Sequence, residues 1–312
     1  MKGTIRAICI SERRGTAKHE VPEAALREDW GIETDAHGGK WHRQVSLLAL
    51  EEIEGFRSRG ANVDFGAFGE NLVVEGFQLT ALPVGTRFQV GDALLELTQI
   101  GKECHSHCAI YQQVGDCIMP RKGVFTRVLR SGSIRVGDEI ELIPPAPDRP
   151  FTAAVITLSD KGAAGQREDR SGPLMEKMLR EAGYDVVEAL LLSDEPEPLK
   201  RQLIRLADQR QVNLILTSGG TGFSLRDNAP EATAAVCDRM ANGIAEAIRS
   251  YSLSITPRAM LSRGVSGLRK GTLIVNLPGS PKAVEEALGY ILPSLDHGLG
   301  ILRGTAGECA RC

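Results

Sequence analysis

The residues best suited to chemistry form a glycine loop, Ser218-Gly219-Gly220-Thr221-Gly222, directly after the apolar run 214–216. Glycines allow backbone N–H groups to turn inward and approach an anion, and the hydroxyl groups of Ser218 and Thr221 can add donors. The spacing matches neither the G-x-x-x-x-G-K-S/T phosphate loop nor the G-x-G-x-x-G dinucleotide fingerprint. The loop predicts a phosphate cradle, with a plain left-handed turn between strand and helix as the alternative.

A second candidate loop, Asn276-Leu277-Pro278-Gly279-Ser280-Pro281, separates the apolar run 272–276 from a helical pattern. Ser280 suits an N-cap and Pro281 suits the first helical turn, so the segment is typical of a helix start. The exposed N–H groups of such a start can also bind a phosphate. The two functions are compatible.

Three aspartates follow apolar runs of the second half and are candidate metal ligands. Asp194 follows the run 185–192, Asp227 follows the glycine loop, and Asp160 follows the run 153–158. If these runs are parallel strands, the carboxylates meet at one edge of the sheet. Carboxylates beside phosphates suit Mg²⁺, because this ion prefers hard oxygen ligands. Each aspartate alone is more typical of a turn or a helix cap.

A thiol-rich segment marks the first half. Cys104, Cys108 and Cys117 lie within fourteen positions, together with His105 and His107. These side chains could bind zinc or an iron–sulfur cluster, or they could present a reactive thiolate favoured by basic neighbours. The spacing C-x3-C-x8-C is not a standard zinc-finger or ferredoxin pattern. Metal binding, a reactive thiol and ordinary burial are all open from the residues alone.

The other four of the seven cysteines form two groups. Cys9 and Cys237 lie in an apolar strand pattern and a helical pattern, and we expect both in the core. Cys309 and Cys312 form a C-x2-C pair in the tail 304–312, which is either a mobile dithiol or an unstructured end. An odd number of cysteines without an export signal argues against a disulfide framework.

The composition is that of a folded protein, with 42% hydrophobic residues, 25% charged residues and a net charge of -3 in 312 residues. The chain lacks the basic excess that nucleic acid or an anionic membrane requires. No segment approaches about 18 uninterrupted apolar residues, and the start lacks the apolar stretch of a signal peptide. We therefore expect a cytoplasmic protein with no nucleic-acid or membrane partner.

The sharpest break in composition is the segment 144–150, which has four prolines in seven residues. Proline cannot continue a helix or a central strand, and proline-rich segments favour extended spacers. We place a linker there, between a first domain at 1–143 and a second domain at 151–303.

The elements that must position these groups differ between the two halves. The first half shows short strand patterns separated by glycine turns, with one helix at 47–59. The predicted strands are 4–10, 70–74, 87–90, 93–99 and 139–143. We expect a mainly-β domain, a small barrel or rolled sheet, whose loops carry the chemistry.

The second half alternates apolar runs with helical patterns, which is typical of a mostly parallel sheet covered by helices. The predicted strands are 153–158, 185–192, 213–217 and 272–276. The predicted helices are 172–182, 198–209, 229–236, 243–254 and 281–291. Ligands of such sheets bind beyond the carboxyl ends of the strands, where both loops and all three aspartates are expected.

An ordered set of motifs runs through the second half: Thr157-Leu158-Ser159-Asp160, Ser193-Asp194, the glycine loop, Arg226-Asp227 with Pro230-Glu231, Ser262-Arg263 and the 276–281 loop. This set resembles the MoaB/Mog family of molybdopterin adenylyltransferases over roughly residues 151–303. The resemblance implies a three-layer α/β fold, commonly a trimer. It also implies Mg²⁺-dependent transfer of AMP from ATP to the terminal phosphate of molybdopterin, with release of pyrophosphate.

Asp194 and Asp227 match the two functional aspartates of that family, which implies roles in holding Mg²⁺ and positioning phosphates. The same resemblance implies that Ser218 to Gly222 hold the pterin phosphate. Asn276, Pro278, Gly279 and Ser280 would then line the same pocket.

The first half carries Asp35-Ala36-His37-Gly38-Gly39, Arg43-Gln44-Val45-Ser46, Phe68-Gly69-Glu70-Asn71-Leu72, the Cys104 segment, Gly123-Val124-Phe125 and the segment 132–138. In this order the motifs resemble a MOSC domain. The resemblance implies molybdenum cofactor binding, in which a cysteine carries sulfur or contacts the molybdenum ion. Cys104 best matches that cysteine, and MOSC domains are also associated with pyridoxal phosphate.

Four polar residues of these motifs have two interpretations. His37 and Arg43 suit an anionic pterin phosphate, or they are ordinary loop residues. Glu70 and Asn71 could equally satisfy backbone groups at a strand start.

The sequence therefore predicts a bifunctional protein of molybdenum cofactor biosynthesis that works with other cofactor-biosynthesis proteins or molybdoenzymes. The alternative is a non-catalytic carrier of the pterin or a sulfur-delivery protein. A third hypothesis is a metal–sulfur scaffold centred on Cys104, Cys108 and Cys117.

Overall fold

The computed structural model describes residues 1–60, 63–103 and 117–306. The chain divides into two compact units, Met1–Ala146 and the part from Pro147 onward. This division falls inside the proline-rich segment 144–150. None of the helices in the described ranges has the length and apolar character that a membrane span requires.

The first unit consists mainly of short strands. They are β1 (Lys2–Ile10), β2 (His19–Val21), β3 (Glu23–Arg27), β4 (Gly31–Ile32), β5 (Val45–Ala49), β6 (Leu72–Glu75), β7 (Arg87–Val90), β8 (Ala93–Ile100), β9 (Val124–Arg130), β10 (Gly132–Arg135) and β11 (Glu139–Ile143). Its described helices are α1 (Leu50–Arg57), α2 (Met119–Lys122) and a 3-10 turn at Leu79–Ala81.

Strands of the first unit close into a barrel. β11, β7, β8, β9, β5, β6 and β1 pair in that order, and β11 also pairs with β1. The ring is antiparallel apart from β5 and β6, where Leu47 lies opposite Leu72. β2 extends the sheet at β1, while β10, β3 and β4 form a small second sheet. Buried side chains such as Ile5, Phe88 and Leu95 fill the core, and the prediction of a mainly-β barrel is confirmed.

The predicted helix 47–59 is wrong at its start. Val45–Ala49 forms β5, and the helix covers only Leu50–Arg57. All five residues of β5 are buried, and the strand hydrogen-bonds to both β6 and β9. A short apolar run has no periodicity that separates a buried strand from the start of a helix. Pairing with β6 and β9 therefore determines that this run forms a strand.

The second unit alternates strands and helices. Its strands are β12 (Thr152–Leu158), β13 (Asp185–Leu192), β14 (Leu214–Ser218), β15 (Arg239–Met240), β16 (Ser266–Arg269) and β17 (Thr272–Leu277). Its helices are α3 (Asp160–Ala163), α4 (Ser171–Glu181), α5 (Pro196–Ile204), α6 (Ala229–Val236), α7 (Asn242–Leu253) and α8 (Pro281–Arg303). A π-helical turn follows α5 at Arg205–Gln209, and a 3-10 turn precedes β16 at Pro257–Leu261.

These elements form three layers. The sheet order is β13, β12, β14, β17, β16, β15; the first four strands are parallel, and the last two pair antiparallel. One face packs against α4, α7 and α8 through side chains such as Val155 and Leu216. The other packs against α5 and α6 through Ile156 and Ile215. The expected three-layer α/β fold is confirmed.

The last helix is longer than predicted. The sequence predicts that this helix ends at residue 291, whereas α8 continues to Arg303 with Pro293 inside it. A proline removes one helical hydrogen bond, which makes it a reasonable stop signal in a sequence. Leu295 and Leu299 are nevertheless buried on the same face as the first turns. Packing against the sheet therefore stabilises the helix beyond Pro293.

Candidate functional site

Parallel strands bring the two loops to one edge of the second sheet. Thr157 of β12 lies opposite Ser218 of β14, which in turn lies opposite Leu277 of β17. The glycine loop leaves β14 at this edge, and the 276–281 loop leaves β17 beside it. The backbones approach so closely that a Cβ on Gly279 would lie 3.3 Å from the Cα of Gly219.

The glycine loop has a backbone that only glycine adopts readily. Gly219 and Gly220 have φ angles of +100° and +64°, and a Cβ on Gly219 would lie 2.4 Å from the carbonyl oxygen of Leu158. The amides of Gly220, Thr221 and Gly222 donate no hydrogen bond to any other residue that the structure describes. Successive amides in such a turn form a concave anion site. This geometry is compatible with a phosphate cradle, and phosphate binding by the loop stays a prediction.

Ser218 and Asn276 lie beneath the loops rather than on their open side. The Ser218 hydroxyl is buried and donates to the carbonyl of Pro278 at 2.8 Å, so it joins the two loops. The Asn276 amide donates to the hydroxyls of Thr217 and Thr233 at 2.8 and 2.9 Å. Both side chains hold strand ends together, because burial requires each of their polar atoms to find a partner in the protein.

The 276–281 loop starts α8 as expected. The Ser280 hydroxyl accepts a hydrogen bond from the amide of Ala283 at 3.3 Å, with Pro281 at the first helical position. The carbonyl of Gly279 accepts from the Ser171 hydroxyl at 3.2 Å, which connects this loop to the start of α4. The helix-start interpretation of Ser280 is confirmed, and phosphate binding by this loop stays a prediction.

Asp194 and Asp160 hold each other's backbone at the same edge. Oδ2 of Asp194 accepts from the amide of Asp160 at 2.9 Å, and Oδ1 of Asp160 accepts from the amide of Asp194 at 3.0 Å. Burial raises the pKa of Asp194, and the negative charges of Asp160 and Asp227 raise it further. The influence of Asp227 on this pKa means that the structure brings the two predicted aspartates into one electrostatic environment.

Arg226 is the counter-ion of this acidic edge. Its guanidinium donates to both oxygens of Asp160, at 2.7 to 3.1 Å, and to Glu195 at 2.5 Å. The hydrogen bonds from Arg226 lower the pKa of Asp160 and raise the pKa of Arg226 itself. The carboxylate of Asp160 thus hydrogen-bonds to an arginine, whereas no arginine in the described ranges hydrogen-bonds to the carboxylate of Asp194 or Asp227.

Asp194 and Asp227 have the donor atoms that a magnesium ion uses. Oδ2 of Asp227 accepts from the amide of Ser224 at 3.0 Å, but Oδ1 of Asp227 and Oδ1 of Asp194 accept nothing from the described part of the chain. No group of three or more His, Cys, Asp or Glu side chains within the described ranges is arranged to hold a metal. Mg²⁺ commonly takes one or two carboxylates and completes its shell with substrate phosphates, so this donor set fits it.

Sequence reasoning missed the contacts of Arg263, which it placed only within a family motif. The backbone amide of Arg263 donates to the carbonyl of Thr221 at 3.0 Å, and its Nε donates to the carbonyl of Gly222 at 2.7 Å. Its terminal nitrogens bond the carbonyl of Asp227 and the carboxylate of Glu231. An arginine 36 positions after Asp227 gives no sequence signal for such contacts, because the chain returns to the loop only in the folded structure.

A buried polar cluster lies in the first unit around Asp35. Its carboxylate accepts from Lys18 and from the side chain of Asn71, and it lies 2.9 Å from Nδ1 of His37. Burial alone would raise the pKa of Asp35, but the hydrogen bonds from His37 and Lys18 hold that pKa well below its ordinary value. Burial lowers the pKa of Lys18 against the opposing effect of Asp35. The sequence analysis did not single out Lys18, since one lysine in a polar stretch has no distinguishing pattern.

The motif residues of the first unit serve the backbone as well as this cluster. Glu70 accepts from the amides of Gly66 and Phe68 at 2.7 and 3.0 Å. Asn71 accepts from the amide of Ser46 at 3.1 Å. The backbone interpretation of Glu70 and Asn71 is therefore confirmed. Arg43 stacks on the ring of Trp41, with its guanidinium carbon 4.8 Å from the ring centroid.

The described cysteines lie in or against apolar clusters. Cys9 is fully buried, and burial raises its pKa to about 12. Cys237 is half-buried with a pKa raised by burial to about 11, and Cys117 lies in the same apolar cluster as Cys9. Thiolate chemistry needs an exposed group of low pKa, so these three belong to the packing. Cys104, Cys108, Cys309 and Cys312 lie outside the described residues.

Models of known protein families match both halves of the chain. Residues 154–297 match the family model of the probable molybdopterin binding domain, and residues 33–141 match that of the MOSC domain. The molybdopterin adenylyltransferase of Helicobacter pylori is 38% identical over 152 residues, covering 48% of this chain and 86% of the relative.

Two further matches each cover about half of the chain. A molybdenum cofactor biosynthesis bifunctional protein of Synechococcus elongatus is 41% identical, covering 49% of this chain and 47% of the relative. The crystal structure of the molybdopterin biosynthesis enzyme MoaB from Thermus thermophilus is 44% identical, with a TM-score of 0.48, and covers 49% of this chain and 97% of that one.

Fold, site and comparisons together define the class: a β-barrel unit followed by a three-layer α/β unit with a glycine loop at the carboxyl edge of its sheet. The chain belongs to the MoaB/Mog family of molybdopterin-binding proteins through its second unit, and it carries a MOSC domain in its first.

Proposed function

We propose that the second unit transfers AMP from ATP to the terminal phosphate of molybdopterin and releases pyrophosphate. The observation that carries this proposal is the pairing of an anion cradle with two available carboxylates. The amides of Gly220, Thr221 and Gly222 are without acceptors in the described structure, and Asp194 and Asp227 each keep one oxygen without a donor there. The activity named for the Helicobacter pylori relative supports the same reaction.

The loops position the nucleophile in this proposal. The amides of the glycine loop, with Thr221, hold the terminal phosphate of the pterin, and Gly279 and Ser280 close the pocket from the neighbouring strand. An oxygen of that phosphate attacks the α-phosphorus of ATP, the bond from this phosphorus to the bridging oxygen breaks, and pyrophosphate leaves. Alignment of the two phosphates and stabilisation of the charge by backbone dipoles account for the rate.

Asp194 and Asp227 would hold a magnesium ion and thereby fix the phosphates of ATP near the loop. Bound Mg²⁺ neutralises negative charge on the phosphates and orients them. Burial, and then the negative charges of Asp160 and Asp227, raise the pKa of Asp194, and a bound cation would offset the repulsion among these carboxylates. Arg226 neutralises Asp160 on the other side, which leaves the pair Asp194 and Asp227 for the metal.

We further propose that the first unit, taken as residues 1–143, binds the molybdenum cofactor and that Cys104 handles its sulfur or contacts the metal. The MOSC match and the resemblance at Cys104 support this role. A linker at 144–150 joins it to the adenylylating unit at 151–303. Tethering of two sites raises the effective concentration of an unstable intermediate at the second one.

The test measures pyrophosphate release and adenylylated pterin with purified protein, molybdopterin, ATP and Mg²⁺. We expect Asp227→Ala and Asp194→Ala each to lower the rate by about 100-fold, the loss typical of removing one group that stabilises the transition state. Asp185→Asn is the matched control, since Asp185 begins β13 at the edge opposite Asp194 and is exposed. We expect it to retain the parent rate.

Two outcomes would overturn the assignment. An Asp227→Ala variant as fast as the parent would remove the carboxylate from the mechanism. A parent protein that binds molybdopterin but releases no pyrophosphate would instead be the non-catalytic carrier.

A further inference from the structure

Arg263 contacts the last two residues of the glycine loop and the backbone of Asp227. Its backbone amide donates to the Thr221 carbonyl, its Nε donates to the Gly222 carbonyl at 2.7 Å, and one terminal nitrogen donates to the Asp227 carbonyl. One planar guanidinium therefore connects the two ends of the segment 222–227. The other terminal nitrogen forms an ion pair with Glu231 in the first turn of α6.

The segment 222–227, which lies between these two carbonyls, sets the position of the Asp227 carboxylate. The amide of Asp227 donates to the Ser224 carbonyl at 2.9 Å, and Oδ2 of Asp227 accepts from the Ser224 amide at 3.0 Å. A Cβ on Gly222 would lie 2.8 Å from the same Oδ2, so the carboxylate packs directly on the glycine loop. The separation of Gly222 and Asp227 thus determines where the carboxylate lies relative to the loop amides.

Arginine is suited to this contact because its donors lie in one rigid plane. A lysine has the same charge but concentrates its donors on one flexible ammonium group, and it cannot reach two separate carbonyls and a carboxylate in fixed directions. Each nitrogen of the Arg263 guanidinium bonds to a protein oxygen. Any effect of Arg263 on the reaction would therefore pass through the loop and Asp227.

We propose that Arg263 is a positioning residue that sets the distance between the glycine loop and the Asp227 carboxylate; the catalytic part of this inference rests on the proposed function. Its guanidinium fixes the carbonyls of Gly222 and Asp227 in one plane. The metal-holding carboxylate and the phosphate-binding amides then keep one relative geometry through the reaction.

The test compares Arg263→Lys with Arg269→Lys. Arg269 is a matched control, because it also bonds a carboxylate and a carbonyl, those of Asp208 and Val236, away from the loops. We expect Arg263→Lys to lower kcat by about 10- to 100-fold with little change in KM, since misplacement of reacting groups costs rate rather than binding. We expect Arg269→Lys to keep the parent kcat, although it should lose about as much thermal stability as Arg263→Lys.

A second readout is independent of activity. We expect hydrogen exchange at the amides of Ser224 and Asp227 to become at least about 10-fold faster in Arg263→Lys, because release of the loop opens their turn. Arg269→Lys should leave both amides unchanged. If the parent protein releases no pyrophosphate, the proposed function fails, while this exchange measurement still decides the geometric role of Arg263.

Three results would overturn the inference, two from Arg263→Lys and one from Glu231→Gln. One is a kcat of Arg263→Lys within about twofold of the parent, and another is unchanged exchange at Ser224 and Asp227. Glu231→Gln separates the ion pair from the carbonyl contacts, and a loss equal to that of Arg263→Lys would show that the ion pair is responsible. Arg263→Gln provides the same two measurements if the lysine variant does not fold.

Discussion

At the scale of single residues, burial and hydrogen bonding give identical side-chain types different chemistry. Asp35 and Glu70 are both buried acids of the first unit, yet their pKa values move in opposite directions. Hydrogen bonds from His37 and Lys18 outweigh burial at Asp35. Burial dominates at Glu70 and raises its pKa to about 6, although the backbone amides of Gly66 and Phe68 oppose the shift.

Glu70 gives the first unit a pH dependence that can be measured. Between its ordinary pKa of 4.5 and its folded pKa of about 6, the native state binds more protons than the unfolded state. Stability therefore decreases as pH rises through this interval, by about 2 kcal/mol for such a shift. We expect urea unfolding of the parent to show this decrease and Glu70→Gln to lack it.

Because protonated glutamate and glutamine are both neutral, the stability of the parent relative to Glu70→Gln should be highest near pH 4.5 and should fall by about 2 kcal/mol by the time pH exceeds 6. The lowered pKa of Asp35 changes stability only below its ordinary pKa of 3.8, so it does not contribute in this interval. Parallel pH profiles of the two proteins would contradict the assignment.

At the scale of elements, the site depends on how a strand ends. β14 ends at Ser218, and the next two residues have positive φ angles that turn the chain across the end of β12 toward α6. The carbonyl of Gly220 accepts from the amide of Ala229 at the start of α6. The turn and the helix start are thus one connected structure, and any side chain at Gly219 would collide with Leu158.

We expect Gly219→Ala to lower the free energy of unfolding by about 1 to 3 kcal/mol, because it adds both backbone strain and a steric clash. The loss of loop geometry should also reduce pyrophosphate release. Thermal unfolding and the adenylylation assay measure the two effects.

Gly243→Ala is the control for this substitution. Gly243 lies in the first turn of α7, and a Cβ there meets nothing within 4 Å. Alanine should leave activity intact and raise stability slightly, by up to about 1 kcal/mol. Equal effects of the two substitutions would argue against a special role of the Gly219 conformation.

At the scale of the whole molecule, each unit has its own apolar core. The barrel encloses a cluster that includes Leu47, Leu72 and Phe88. The second unit has one cluster on each face of its sheet. A unit with its own core can fold by itself, because its apolar burial does not depend on the rest of the chain.

We therefore expect the fragment from residue 147 onward to unfold cooperatively and to retain pyrophosphate release close to that of the full chain. The fragment 1–146 should also fold but show no such activity. Circular dichroism melting curves and the adenylylation assay test both fragments. If the fragment from residue 147 onward is unfolded, or is folded but inactive, the adenylylating unit is not independent of the first unit.

Much of the fold was predictable from local pattern. Strands 87–90, 139–143 and 185–192 and helix 229–236 agree with the structure to the residue, because alternation, glycine turns and helix-start residues are local signals. The strand at Val45–Ala49 and the continuation of α8 past Pro293 were not predictable in this way. In both, contacts with elements distant in sequence outweigh the local preference.

For the candidate site, the sequence by itself determined the chemical inventory: a glycine loop, a helix start after a strand, and aspartates that follow strands. The tertiary structure decided which atoms remain available. It buries the polar atoms of Ser218 and Asn276, pairs Asp160 with Arg226, and brings Arg263 to the end of the glycine loop and to Asp227. These outcomes depend on contacts between residues far apart in the chain, and burial then requires each polar group to be satisfied by whichever partner the packing brings near it.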